Sequence, residues 1–215
     1  LKSMPAIFPE EERSKQPSVF SILRALTQEF RNAADDKLAF GGAFGYDLLF
    51  QFEPIPLRLP RESRKDLQLF LFDDIVYMDR KREQIERFSW DFKLDTPGGK
   101  LTTKGLERTG EVVPKQPKRK PAPITSDHTP EEYMANVAAV REGMRRGNYY
   151  EVVLRQSFRT PYSGKASDLF GRMQKANPSP YEFLIQFGEE QLVGASPEMF
   201  VRVEGELVET CPISG

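Results

Sequence analysis

The sequence predicts an α+β fold in which short helices accompany antiparallel strands, and three observations predict it. Two capping signals, Pro17-Ser18 and Thr129-Pro130-Glu131-Glu132, each precede apolar residues at helical spacing. Leu67–Met78 and Gln84–Phe92 alternate about a charged turn at Arg80-Lys81-Arg82-Glu83, the pattern of a hairpin. The last third runs helix, strand, helix, and then a meander of short strands broken at Gly188-Glu189-Glu190 and Glu204-Gly205-Glu206. Strands joined by turns this short pair antiparallel.

In chain order, Ser18 caps a helix over about 18–33 whose apolar face is Val19, Ile22, Leu23, Leu26 and Phe30. Its polar face is not markedly basic, which favours a structural helix over a membrane-binding one. Leu38–Asp47 holds three glycines but lacks the Gly-Lys-Ser/Thr ending of a phosphate loop. It reads as a strand with a bulge or a close backbone approach, and its Tyr46-Asp47 pair as structural. Asp73 and Asp74 interrupt the Leu67–Met78 strand. Adjacent strand residues face opposite ways, so the two make a poor pair of metal ligands. Residues 1–95 thus form an N-terminal β-rich region. Residues 96–124 read as a linker, with Pro97, Gly98 and Gly99, then Pro114, Pro117, Pro121 and Pro123 among Lys115, Lys118, Arg119 and Lys120. Such a segment has too little apolar surface to bury.

Residues 125–215 open with a helix capped by Thr129, with Pro130 at its first position and Glu132 completing a capping box. Tyr133, Val137, Val140 and Met144 make its apolar face, and Gly147 ends it in the left-handed conformation. Tyr149–Phe158 is rich in aromatic and β-branched residues and reads as a strand. Its period of two puts Tyr149, Glu151, Val153, Arg155 and Ser157 on one face. Exposed, that face is simply solvated; covered, it lines a polar cavity. A helix over Ser167–Ala176 turns Leu169, Phe170 and Met173 inward and stops before Pro178. Strands follow at Glu182–Phe187, Gln191–Gly194, Met199–Val203 and Leu207–Thr210. Between two of them sits Ser196-Pro197-Glu198. Its proline fixes a bend, which leaves Glu198 either a surface turn carboxylate or a held acid or base.

Composition excludes several function classes. The formal net charge is -1, so no global basic field points to nucleic acid. No apolar run is long enough to span a bilayer, and Leu1 does not open a signal peptide. The single cysteine, Cys211, rules out an internal disulfide framework and fits a reducing cytoplasm. The single histidine, His128, rules out a multi-histidine metal site within the chain and reads as an exposed residue flanking a helix start.

Four segments in one order carry a resemblance to the chorismate-utilising enzymes, and within them to the large component of anthranilate synthase. Gly147–Gln156 resembles the strand written GDIFQVVLSQ in that family, and Asn177-Pro178-Ser179-Pro180-Tyr181 resembles NPSPYMF. Gly194-Ala195-Ser196-Pro197-Glu198 matches GASPE, and Cys211–Gly215 matches the start of PIAGTR. Upstream, Leu38–Asp47 is similar to the GGxxGYxxYD strand.

The resemblance implies an α+β fold of antiparallel β-sheets flanked by helices, part of an α/β sandwich, with residues 125–215 the N-terminal part of its chorismate-binding catalytic region. It implies that chorismate and ammonia, the latter drawn from glutamine by an amidotransferase domain or subunit, become anthranilate and pyruvate in tryptophan biosynthesis. Glu198 is then the general acid that protonates the departing C4 hydroxyl, and Ser214 and Gly215 belong to the substrate-binding segment. Asn177, Pro180 and Tyr181 bind tryptophan as inhibitor, with Glu182 in place of the usual methionine. Glu151 stands where isochorismate synthases carry a lysine base and anthranilate synthases usually a glutamine. Ser214 stands where aminodeoxychorismate synthases often carry a lysine. Those two synthases, and a fragment that only binds or regulates, are the alternatives. Mg²⁺ is expected in a longer parent enzyme, with its ligands outside this chain, which reads as an internal fragment. Chorismate, an amidotransferase and tryptophan are the expected partners, without nucleic acid or membrane.

Overall fold

The computed structural model describes residues 9, 12, 16–31, 37–53, 55–57, 60, 61, 65–107 and 123–213. The chain divides into two units, residues 1–110 and 111–215. The division falls inside the 96–124 span, of which 108–122 lie outside the described residues.

The first unit opens with α1 (Val19–Glu29). The Ser18 hydroxyl accepts from the Phe20 N–H at 3.3 Å, and Ser21 returns a bond to the Ser18 N–H, so the cap forms where expected. The helix ends at Phe30, short of 33. Val19, Leu23 and Phe30 of the expected face are half-buried, and Phe20 joins them. Phe20 stacks on Phe44 and Phe52 with ring centroids 5.8 and 6.0 Å apart, and Phe30 meets Phe92 edge-on at 5.5 Å. Large rings capture more contact area than aliphatic side chains, so Ile22 and Leu26 are left exposed.

The glycine-rich stretch forms β1 (Phe40–Phe44), which pairs antiparallel with β2 (Leu67–Leu71). A 3₁₀ helix at Tyr46–Gln51 carries Leu48, the one buried apolar side chain among the described residues. Asp47 at its start pairs with Arg61 at 3.1 Å. The single strand expected over Leu67–Met78 is two strands with different partners. After Asp73, β3 (Asp74–Asp79) pairs with β4 (Gln84–Ser89). The expected linker begins with structure: β5 (Lys93–Thr96) and β6 (Gly99–Thr102) form a hairpin about Pro97-Gly98. The Thr96 hydroxyl closes that turn by donating to the Gly99 carbonyl at 2.7 Å.

The second unit begins with β7 (Thr125–Ser126) and α2 (Pro130–Arg145). The α2 capping box is present: the Glu132 N–H reaches Thr129 Oγ1 at 3.2 Å, and the Thr129 N–H reaches Glu132 Oε2 at 2.9 Å. Gly147 follows with φ 75°. The strand expected over Tyr149–Phe158 is hydrogen-bonded as a ladder only at β8 (Phe158–Arg159), against β7. Then come α3 (Ala166–Ala176), β9 (Tyr181–Phe187), β10 (Glu190–Ser196), β11 (Arg202–Glu204) and β12 (Leu207–Glu209). α3 starts one residue before the expected Ser167, with Lys165 at its cap position. β9 pairs with β10 and β11 with β12, and α3 packs on the β9–β10 hairpin. Every sheet among the described residues is two-stranded and antiparallel. No helix among them is long and apolar enough to cross a membrane.

Candidate functional site

The β9–β10 hairpin gathers most of the predicted site residues at one end. Its register sets Tyr181 opposite Ser196, so the Asn177–Tyr181 turn and the bend bearing Glu198 adjoin the same cross-strand pair. Gly194 sits opposite Phe183, whose ring lies where a Cβ would stand, 2.0 Å from its nearest carbon. Only glycine gives the ring this seat.

Ser196 closes the bend before Glu198. Its hydroxyl accepts from the Glu198 N–H at 3.2 Å and lies 3.3 Å from the Glu198 carbonyl. The proline alone suggested a fixed bend; the serine hydroxyl is a second constraint that the sequence reading missed. Glu198 itself is exposed.

Asn177 ends α3, and its N–H donates to the Met173 carbonyl at 2.8 Å. The half-buried Glu182 accepts from the Ser179 N–H at 3.2 Å and from Gln174 Nε2 at 2.7 Å. The glutamate that departs from the family pattern therefore ties the turn to the last part of α3. Ser214 and Gly215 lie outside the described residues.

Glu151 lies apart from this end in sequence, on the segment between α2 and β8, and is exposed. That segment is held by side chains at its end. Gln156 Nε2 donates to Ser126 Oγ at 2.8 Å and to the His128 carbonyl at 3.2 Å. The Ser157 N–H donates to Asp127 Oδ1 at 2.9 Å, and the Asp127 N–H to the Ser157 carbonyl at 3.1 Å. His128 Nδ1 meets the same carboxylate at 2.9 Å, and Arg155 Nη1 approaches it at 3.4 Å. His128 is thus half-buried and bonded rather than simply exposed. These donors, Ser157's amide first and then His128, lower the Asp127 pKa from 3.8 to about 2.

An open groove of about 710 Å³ beside α3 is lined by Tyr162, Ser167, Asp168, Arg172 and Lys175 among others, and holds none of the predicted site residues. Among the described residues, no three His, Cys, Asp or Glu side chains gather as a metal site.

Hairpins with a glutamate on a fixed bend, and a capped helix feeding the Gly147–Gln156 segment, occur here in the order of one enzyme family. Residues 5–215 match the chorismate binding enzyme family, and the chain belongs to it. It is 45% identical to anthranilate synthase of Azospirillum brasilense over 213 residues, covering 98% of this chain and 28% of that protein. It is 28% identical to anthranilate synthase component 1 of Acetivibrio thermocellus, over 95% of this chain and 46% of that one. The crystal structure of anthranilate synthase component I from Streptococcus pneumoniae shares the fold, with a TM-score of 0.60 at 23% identity, over 83% of this chain and 43% of that one. The chain therefore spans less than half the length of each of these relatives.

Proposed function

We propose that this chain is part of an anthranilate synthase, in which chorismate and ammonia become anthranilate and pyruvate in tryptophan biosynthesis. The observation that carries the reading is the near-half identity, along almost the whole chain, to the Azospirillum brasilense enzyme. The complete enzyme contains further polypeptide, receives ammonia from a glutamine amidotransferase domain or subunit, and works in the cytoplasm. Two residues speak against the sister reactions. Glu151 supplies no lysine base for isochorismate chemistry, and Ser214 supplies no amine for the covalent lysine route.

In this reading Glu198 protonates the C4 hydroxyl as its bond to the ring breaks, so the group departs as water. A hydroxyl is a poor leaving group, and the Ser196 bonds that fix the Glu198 backbone support a held acid. Ser214 and Gly215 contact the substrate, and the position of Glu151 faces it. Mg²⁺ would hold the substrate carboxylate and neutralise developing charge. The described residues offer it no cluster, so none of them is assigned to the ion. Tryptophan binds at Asn177, Pro180 and Tyr181 as inhibitor.

The test is turnover of the complete enzyme with chorismate, Mg²⁺ and ammonium, which bypasses the amidotransferase. Anthranilate and pyruvate should form in equal amounts. Formation of aminodeoxychorismate or isochorismate instead would overturn the assignment.

A further inference from the structure

The segment between α2 and β8 lacks the ladder that its composition predicts, yet it is fixed at both ends to the ends of α2. At the C-terminal end Gly147 reverses the chain, and the Tyr149 ring lies over buried Gly143. A Cβ at Gly143 would stand 2.3 Å from that ring, so glycine is what lets it seat. At the N-terminal end both Gln156 side-chain bonds go to the residues leading into the helix, Ser126 and His128. Asp127 and Ser157 exchange two more, and the β7–β8 ladder continues from there.

The span and the segment match in length. Gly143 lies 13 residues beyond the first residue of α2, a rise of about 20 Å. Tyr149 to Gln156 is seven Cα steps, which reach at most about 25 Å when fully extended. The segment is a strap held at both ends, with a bend at Tyr150. A one-residue slip would release an end and exchange the two faces.

We infer that Gln156 is a positioning residue: by anchoring the strap at the start of α2, it sets the register and facing of Glu151, Val153 and Arg155. The functional consequence rests on the anthranilate synthase reading, in which the Glu151 position faces chorismate. Gln156 touches no reacting atom in this reading. It acts through the strap.

Two variants test it. Gln156→Met keeps the reach without either N–H, and Gln156→Glu keeps the shape without either N–H. Amide hydrogen exchange of the complete enzyme should quicken at residues 149–157 by on the order of tenfold in both, with the α2 amides unchanged. In the complete enzyme with ammonium as nitrogen source, kcat per folded molecule should fall roughly tenfold while the chorismate KM stays within about threefold. A merely structural role would lower the folded fraction and leave kcat per folded molecule alone. Unchanged exchange overturns the strap. Faster exchange with unchanged kcat overturns the positioning role, as does a wild-type-like Gln156→Glu, which would make shape the only requirement. A complete wild-type enzyme that never consumes chorismate sinks the functional reading first. The positioning role then falls with it, and exchange still decides the strap.

Discussion

Asp127 concentrates more bonds on one carboxylate than its place in the sequence suggested. Its folded-state pKa, about 2, lies below the ordinary 3.8 because Ser157 and His128 donate to the charged form. A group depressed in this way adds stability that is complete above the unfolded value and is lost as pH falls through the folded one. The stability difference between wild type and Asp127→Asn should therefore be constant from pH 5 to 7 and shrink from about pH 4 toward pH 2. Denaturant melts across that range measure it; an unchanged difference at pH 2 would mean that the carboxylate charge plays no part. Glu198 poses the complementary question, because in its proposed role the carboxyl gives up a proton rather than keeping a charge. Glu198→Gln preserves size and hydrogen bonding but has no proton to transfer. Turnover in the complete enzyme should drop by roughly 10²–10⁴, with chorismate affinity within a few-fold. Near-normal turnover would make Glu198 an ordinary turn residue.

Among the elements, the α3–β9 turn carries the proposed tryptophan site. Glu182→Met, which restores the usual family residue, removes the acceptor of the Ser179 N–H and of Gln174 Nε2. It should cost roughly 1 kcal/mol, seen as a lower melting temperature; an unchanged or higher one would show that the carboxylate contributes nothing. Pro180→Ala should loosen the same turn and weaken tryptophan inhibition of the complete enzyme while sparing uninhibited turnover. Undiminished inhibition would remove the turn from the effector site. The legible elements were those whose causes are local. The α2 cap is written in Thr129 and Glu132, and the β9–β10 and β11–β12 turns in Gly188 and Gly205, whose φ values are 64° and 62°. The strap was not legible, because its anchors lie about 30 residues upstream at Ser126–His128. Its β-branched composition suggested a ladder that tertiary anchoring replaces. Glu198 stood out through its proline; the Ser196 bond is a local serine turn, whereas the Glu182 bond to Gln174, eight residues upstream, follows no spacing rule.

For the whole molecule, the chain matches less than half of each relative reported above, and its described residues bury a single apolar side chain. Tyr150 and Phe200 are 99% and 85% exposed. Both facts bear on activity, since a reactive carboxyl needs an enclosed, water-poor site. The isolated 215-residue chain should not consume chorismate even with Mg²⁺ added. A fall in chorismate absorbance that follows the purified chain would refute this. The pairing pattern also carries a consequence in time. The β9–β10 hairpin closes over a two-residue turn, whereas β7 meets β8 between residues 34 apart. Closing the longer loop costs about 2 kcal/mol more in chain entropy, and local hairpins form within microseconds. During folding, then, the β9–β10 arm that carries the Glu198 bend is ready early. The strap that carries Glu151 tightens only when 125 and 159 meet, which makes it the late step in assembling this unit.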